Sequence, residues 1–227
     1  MIRLRRVGQL RRTETGRADD AAHRDEAARP DAKRVFDVAV SAGLLAALSP
    51  LLVVIAILIK RDDPDGPILF SQERVGRGGI PFRIHKFRTM RPDAPGLQVT
   101  SAGDPRVTRV GAVLRKSKLD ELPQLWNVLV GSMSLVGPRP EVPRYVALWP
   151  AAEREVILSV RPGITDPASV RWRNESEELA AAPDPEAHYV DVVLPQKAAM
   201  YADYVRTRSF WGDFVVLLRT ASAVGRG

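Results

Sequence analysis

Apolar positions fall along this chain in two regimes, one unbroken run and a longer region of alternating and helical spacing. Val38 to Ile59 are 22 residues without a formal charge. As a straight helix at about 1.5 Å per residue they reach roughly 33 Å, enough to cross a bilayer. Ser49-Pro50 sits at the middle of the run, where proline removes a backbone donor and predicts a bend or break. Ser49 is suited to bond a carbonyl freed there. Lys33 and Arg34 precede the run and Lys60 and Arg61 follow it, so the positive-inside bias favours neither orientation. A re-entrant hairpin over 33–61 satisfies both observations, and a single crossing with a kink accommodates the same run. Asp37, one helical turn in, is expected near the headgroups, paired with Lys33 or Arg34.

Beyond the run the pattern changes. Asp62-Asp63-Pro64-Asp65-Gly66-Pro67 is a dense turn signal. Ile68 to Val75 and Ile80 to Met90 read as two strands joined by a turn at Gly76-Arg77-Gly78-Gly79. Helical patterns follow at Arg106 to Leu114, at Leu122 to Leu129, over one or two helices within Val142 to Leu158, and from Pro195 to Val224. Within the last, Phe210, Trp211, Phe214, Val215, Leu217 and Leu218 form a wide apolar stripe suited either to a membrane interface or to packing on the core. The predicted fold is α+β and mostly helical, with a small β-hairpin and no Rossmann unit.

Composition narrows the chemistry. The 227 residues contain no cysteine, which excludes disulfides, thiolate catalysis and Cys-based metal sites. The net charge of +7 points to an anionic partner. Ten basic residues against six acidic ones in the first 34 place +4 of it in a segment poor in large apolar residues, so residues 1–32 are expected to be a disordered basic tail. His23, His85 and His188 show no ligand spacing.

The densest chemical signal runs from Leu114 to Asn127. Here Arg115, Lys116 and Lys118 precede Asp120-Glu121, and Pro123 starts an amphipathic helix. Adjacent carboxylates point in different directions and can divide labour, one toward a reacting phosphorus and one toward a metal or proton. Arg115 suits forked phosphate recognition. In Gly137-Pro138-Arg139-Pro140-Glu141, flanking prolines rigidify the backbone that presents Arg139. Pro162-Gly163 reads as a type II turn with Arg161 beside it.

Four segments, Lys86-Phe87-Arg88-Thr89-Met90, Leu119-Asp120-Glu121-Leu122-Pro123-Gln124, Gly137-Pro138-Arg139-Pro140-Glu141 and Arg161-Pro162-Gly163-Ile164-Thr165, stand in an order and spacing that resembles the bacterial sugar transferases, the monotopic phosphoglycosyl transferases. The resemblance extends from about Lys33 to the C-terminal helix. It implies transfer of a sugar 1-phosphate from a nucleoside diphosphate sugar, usually a UDP-sugar, to polyprenyl phosphate, with release of UMP and initiation of a lipid-linked glycan. It further implies Asp120 as nucleophile, Glu121 as its dyad partner, magnesium held at Asp120 and Glu121, and phosphate or substrate contacts from Lys86, Arg88, Arg115, Arg139 and Arg161. Ser49-Pro50 corresponds to the family's helix break. Residues 62–227 become a catalytic domain with C-terminal interfacial helices, on the cytoplasmic face of the inner membrane and in contact with membrane lipid. Two positions depart from the usual pattern: Asp166-Pro167-Ala168-Ser169 stands where many members have glycine first, on the sugar side, and Ser132 stands where many have aspartate.

A membrane-anchored binding protein or a non-catalytic scaffold of glycan assembly is the competing expectation. A nucleic-acid partner is not expected, because acids are mixed with the cations and Asp120-Glu121 repels a polyanion.

Overall fold

The computed structural model describes residues 32–91, 103–172 and 174–225. The expected tail, apart from Ala32, lies outside these, as does His23. Asp37–Gly227 is one compact unit, and the division from the other unit falls within the first helix, between Phe36 and Asp37.

Helix α1 is a single element, Ala32–Asp62, with Pro50 inside it. The sequence predicted a bend or break at Ser49-Pro50, and helical structure continues through that position. Proline 50 cannot donate to the carbonyl four residues back, that of Ala46, and Ser49 Oγ supplies the missing donor at 2.8 Å. Most of the apolar surface of α1 is exposed, with Val53, Val54, Ile57 and Leu58 among the exposed residues. Its two ends behave differently. Ile55 and Ile59 are buried against Phe87 and Leu114, each burial worth about 1.5–3 kcal/mol. Near the start of α1, Asp37 is buried, and its carboxylate accepts from Ser134 Oγ at 2.7 Å and from the Leu135 N–H at 3.4 Å. This contact ties Asp37 to the β3 segment of the globular unit.

Strands β1 (Leu69–Val75) and β2 (Pro81–Phe87) pair antiparallel, as predicted. Their turn is a single 3-10 turn with Gly78 and Gly79 at positive φ, a conformation open to glycine at little cost. Helix α2 (Arg109–Ser117), capped by Thr108, ends at Lys118 in the left-handed conformation (φ 58). A one-turn 3-10 helix, Leu119–Glu121, follows directly and leads into α3 (Gln124–Val130).

Strands β3 (Ser134–Val136) and β4 (Gly163–Thr165) form a parallel pair that the periodicity did not reveal. Between them lie α4 (Pro143–Val146) and α5 (Ala151–Leu158). The type II turn expected at Pro162-Gly163 is not formed, since it requires a positive φ at the glycine and Gly163 is a strand residue. Glycine is needed for another reason: a Cβ on Gly163 would lie 2.1 Å from the Gly137 nitrogen, and one on Gly137 would lie 2.6 Å from the Arg161 carbonyl oxygen.

The remainder is helical: α6 (Pro167–Arg171), α7 (Glu175–Ala181), α8 (Pro185–His188), a π-helical stretch Tyr189–Val193, α9 (Leu194–Thr207) and α10 (Phe210–Gly225). The mostly helical pattern expected from Pro195 to Val224 is thus two helices, parted at Arg208-Ser209. Trp149, Ile157, Leu179, Val193 and Tyr201 contribute to one core built from these helices. Helix α10 is latched to α9 by Tyr204 Oη donating to Asp213 at 2.7 Å and to β4 by a Thr165–Thr220 hydroxyl pair at 2.7 Å. Its Phe210, Trp211, Phe214, Val215 and Leu218 remain exposed.

Candidate active site

The site is assembled where the α2–α3 connection meets the end of β2 and the segment after β3. The left-handed Lys118 reverses the chain after α2 and sets Asp120 and Glu121 on consecutive positions of a tight turn. Strand β2 brings Lys86 to one side of Glu121, with Nζ 2.8 Å from Oε1. The backbone between Pro138 and Pro140 brings Arg139 to the same carboxylate. Its Nη1 donates to Oε2 at 3.1 Å and its Nη2 to Oε1, a bidentate fork.

The β3–β4 pair governs where Arg139 stands. The Gly137 N–H donates to Thr165 O at 3.1 Å, the Gly163 N–H to Pro138 O at 2.9 Å and the Ser134 N–H to Pro162 O at 2.8 Å. Two motifs read separately in the sequence are therefore one bonded seam, and Arg139 emerges at its end. Glu141 anchors the other side of the same segment, accepting from Tyr189 Oη at 2.7 Å and from Arg74 Nη1 at 3.3 Å.

The two adjacent carboxylates differ sharply. Glu121 is held by three bonds from two cations, whereas among the described residues no hydrogen bond or ion pair holds the Asp120 carboxylate, which is 9% exposed. Burial, then the neighbouring Glu121 charge, raises the Asp120 carboxyl above the ordinary aspartate range, against the pull of Lys86, Arg115 and Arg139. For Glu121 burial is the largest influence and acts upward, but Arg139 and Lys86 together outweigh it and hold the carboxyl well below its usual range. Glu121 in turn pushes the Arg139 guanidinium well up, while burial draws the Lys86 ammonium down. The result is one carboxylate biased toward its anionic form by two cations beside a second that is unencumbered and more basic.

Of the other cations expected here, Arg115 stands in the last turn of α2, with Nη1 3.5 Å from Met90 Sδ, and its charge acts on Asp120. Arg88 is not brought to the cluster. Its buried guanidinium binds the Asp63 carboxylate and the Pro67 carbonyl, and Nη2 donates to the Asp63 carbonyl at 2.9 Å. The acidic turn 62–67 supplies a full set of acceptors for it, and Gly66 leaves the room: a Cβ there would lie 2.4 Å from Arg88 Cζ. Arg161 is drawn to the turn after α3, donating from Nε to Gly131 O at 3.0 Å.

One residue was not anticipated. Asn127, buried within α3, bonds the backbone of β2 on both sides of Ile84. Its signal was an amide in an otherwise apolar stretch, Leu125-Trp126-Asn127-Val128-Leu129-Val130, where a polar side chain needs a buried partner.

The donor set fits magnesium in one way. No group of three or more His, Cys, Asp or Glu side chains among the described residues makes a protein cage. Asp120 keeps all its lone pairs, and Glu121 has about four acceptor positions of which three are used. Magnesium commonly takes one or two carboxylates and completes its shell with substrate phosphates and water.

Residues 28–227 match a family described as bacterial sugar transferase. A UDP-glucose:undecaprenyl-phosphate glucose-1-phosphate transferase of Caulobacter vibrioides is 42% identical over 196 residues, covering 85% of this chain and 69% of that protein. A protein of the same name from Escherichia coli is 36% identical, covering 83% of this chain and 39% of its own length. A UDP-N-acetylgalactosamine-undecaprenyl-phosphate N-acetylgalactosaminephosphotransferase of Aeromonas hydrophila is 37% identical, covering 86% and 44%. The chain thus spans less than half the length of the latter two relatives.

Proposed function

The chain belongs to the bacterial sugar transferase family, and from that premise we propose that it transfers a sugar 1-phosphate from a UDP-sugar to undecaprenyl phosphate, releasing UMP, as the first step of a lipid-linked glycan. The observation that carries the proposal is the asymmetry of Asp120 and Glu121. A carboxylate that must attack phosphorus needs free lone pairs and raised basicity, and Asp120 has both.

The reaction proceeds in two displacements. An Asp120 oxygen bonds to the sugar-bearing phosphorus, and the bond from that phosphorus to the oxygen bridging it to the UMP phosphate breaks, so UMP leaves with the electron pair. An oxygen of the polyprenyl phosphate then attacks the same phosphorus and the Asp120 O–P bond breaks, restoring the carboxylate and yielding a polyprenyl diphosphate sugar. Arg115 and Arg139 offset the repulsion between carboxylate and diphosphate. Glu121 fixes Arg139 and Lys86 in advance, so little reorganisation is left for the reaction. Magnesium held by Asp120, Glu121 and the diphosphate would neutralise phosphate charge. Because the first product leaves before the acceptor reacts, the kinetics are ping-pong.

The acceptor is anchored in lipid, so the site must lie at the membrane surface. Both ends of the apolar part of α1 contact the same globular unit, Asp37 through Ser134 and Ile59 through the Phe87–Leu114 cluster. A bilayer-crossing helix would part those ends. This favours a re-entrant excursion into one leaflet, with the domain on the cytoplasmic face where UDP-sugars are made available. The exposed aromatic stripe of α10 suits the headgroup interface, where amphipathic rings are at home.

The test is UMP release from a panel of UDP-sugars with undecaprenyl phosphate and magnesium, together with intact-mass detection of a phosphosugar adduct when the acceptor is withheld. An adduct that vanishes in Asp120→Asn supports the mechanism. A ternary-complex kinetic pattern, or full activity in Asp120→Asn, overturns it.

A further inference from the structure

Among the described residues strand β2 pairs with β1 alone, so its other edge carries N–H and C=O groups to which no described strand bonds. Asn127 meets that edge. Its Oδ1 accepts from the His85 N–H at 3.0 Å and its Nδ2 donates to the Arg83 carbonyl at 2.7 Å. A side-chain amide offers the same donor and acceptor as a peptide group, and here it does for β2 what a third strand would do. The amide is fixed in its turn. Nδ2 also reaches Ser132 Oγ at 3.3 Å, and that hydroxyl donates to the Asn127 carbonyl at 3.1 Å, a carbonyl that also accepts the Met133 N–H at 3.1 Å. A flipped amide would set its NH2 against the His85 N–H, so the orientation is determined by its partners.

The residue after His85 is Lys86, whose ammonium binds Glu121, and Asn127 lies on the helix that starts three residues after Glu121. The clamp and the ion pair therefore close one short circuit, from Glu121 through α3 to Asn127, across to His85, and by one peptide to Lys86. We infer that Asn127 is a positioning residue for catalysis: by acting as a surrogate third strand for β2 it holds Lys86 in register against Glu121. Ser132 serves the same clamp by buttressing the amide. The inference rests on the proposed role of the Glu121 cluster.

A double-mutant cycle in the full chain, reconstituted with the most active UDP-sugar of the panel, tests it. Lys86→Met and Asn127→Ala are each expected to lower kcat by about 10–100-fold, the scale of a displacement near 1 Å at a catalytic group. If Asn127 acts through Lys86, the double variant falls within about twofold of Lys86→Met alone. Losses that multiply overturn the inference and leave the site reading intact. A Lys86→Met enzyme with native kcat overturns both. Asn127→Asp carries the same cycle if Asn127→Ala does not fold, because it keeps the acceptor for His85 while removing the Nδ2 donor to Arg83 and Ser132. A Tm above the assay temperature for every member establishes that kcat, rather than the folded fraction, is being compared.

Discussion

Glu121 and Arg139, 18 residues apart in the chain, form a two-bond fork that Lys86 closes from the other side. The fork explains why the anionic dyad tolerates two adjacent buried carboxylates: one of them is compensated twice over. Arg139→Lys keeps the charge but loses the planar two-point geometry. We expect kcat for UMP release to fall by about 10²-fold, the scale of removing one oriented electrostatic contact. Glu121→Gln should cost a similar factor, and the double variant little more than either, because the two act as one unit. Steady-state kinetics of the four enzymes check this.

The pH profile should report the opposite displacements of the two acids. Asp120 must be ionised to attack, and its carboxyl is raised by burial and by Glu121. Activity should therefore fade on acidification at a pH above the ordinary aspartate value of about 3.9. Glu121→Gln removes the like charge and should move that acid limb down. Stability linkage has both signs here. The depressed Glu121 contributes stability that is complete above its unfolded value and is lost as pH falls through its low folded value. Asp120, raised, contributes stability that is complete below its unfolded value and is lost as pH rises through its folded one. Thermal melts of Asp120→Asn and Glu121→Gln across pH should diverge accordingly.

Adding one methyl group at the β3–β4 seam should be costly. Gly163→Ala sets a Cβ 2.1 Å from the Gly137 nitrogen, with backbone rather than a flexible side chain in the way. Loss of about 1–3 kcal/mol is expected from the overpacking, seen as a lower Tm, together with reduced kcat because Arg139 leaves the seam two residues beyond Gly137. Gly78→Ala, with nothing within 4 Å of its Cβ, serves as the contrast: its cost is confined to a positive φ in an exposed turn.

The absence of native cysteine makes the topology of α1 directly measurable. Single reporters introduced as Lys33→Cys and Arg61→Cys should both react with an impermeant maleimide from the cytoplasmic side of inverted vesicles. Labelling from opposite sides establishes a crossing helix instead. Asp37→Ala, which leaves the Leu135 N–H short of a partner and Ser134 Oγ with the Val136 carbonyl, should cost about 1–3 kcal/mol and weaken the hold of β3 on α1 at position 37.

What the sequence disclosed was what is local. The apolar run of α1, the β1–β2 hairpin and the Asp-Glu pair ahead of Pro123 each depend on neighbours within a few residues, and each has a matching element. The β3–β4 pair escaped because three-residue strands carry no period and their partners lie 29 residues apart, as Ser134 and Gly163 do. Pro-Gly spacing predicts a turn at Gly163, whereas what requires glycine there is a close approach across that seam. Arg88 shows the converse: a cation expected at the substrate is bonded to Asp63, since only the fold reveals that the acidic turn is within reach.

The glycine contact between the two strands also bears on anyone wishing to change which sugar is carried. Backbone touches backbone from Ser134 to Thr165, so this stretch has no slack to absorb a reshaped donor pocket. The constraint extends immediately downstream, where Asp166, itself fully buried, caps α6 through the Ser169 N–H. A library aimed at donor choice under the proposed function should therefore leave both the seam and the Asp166 cap untouched.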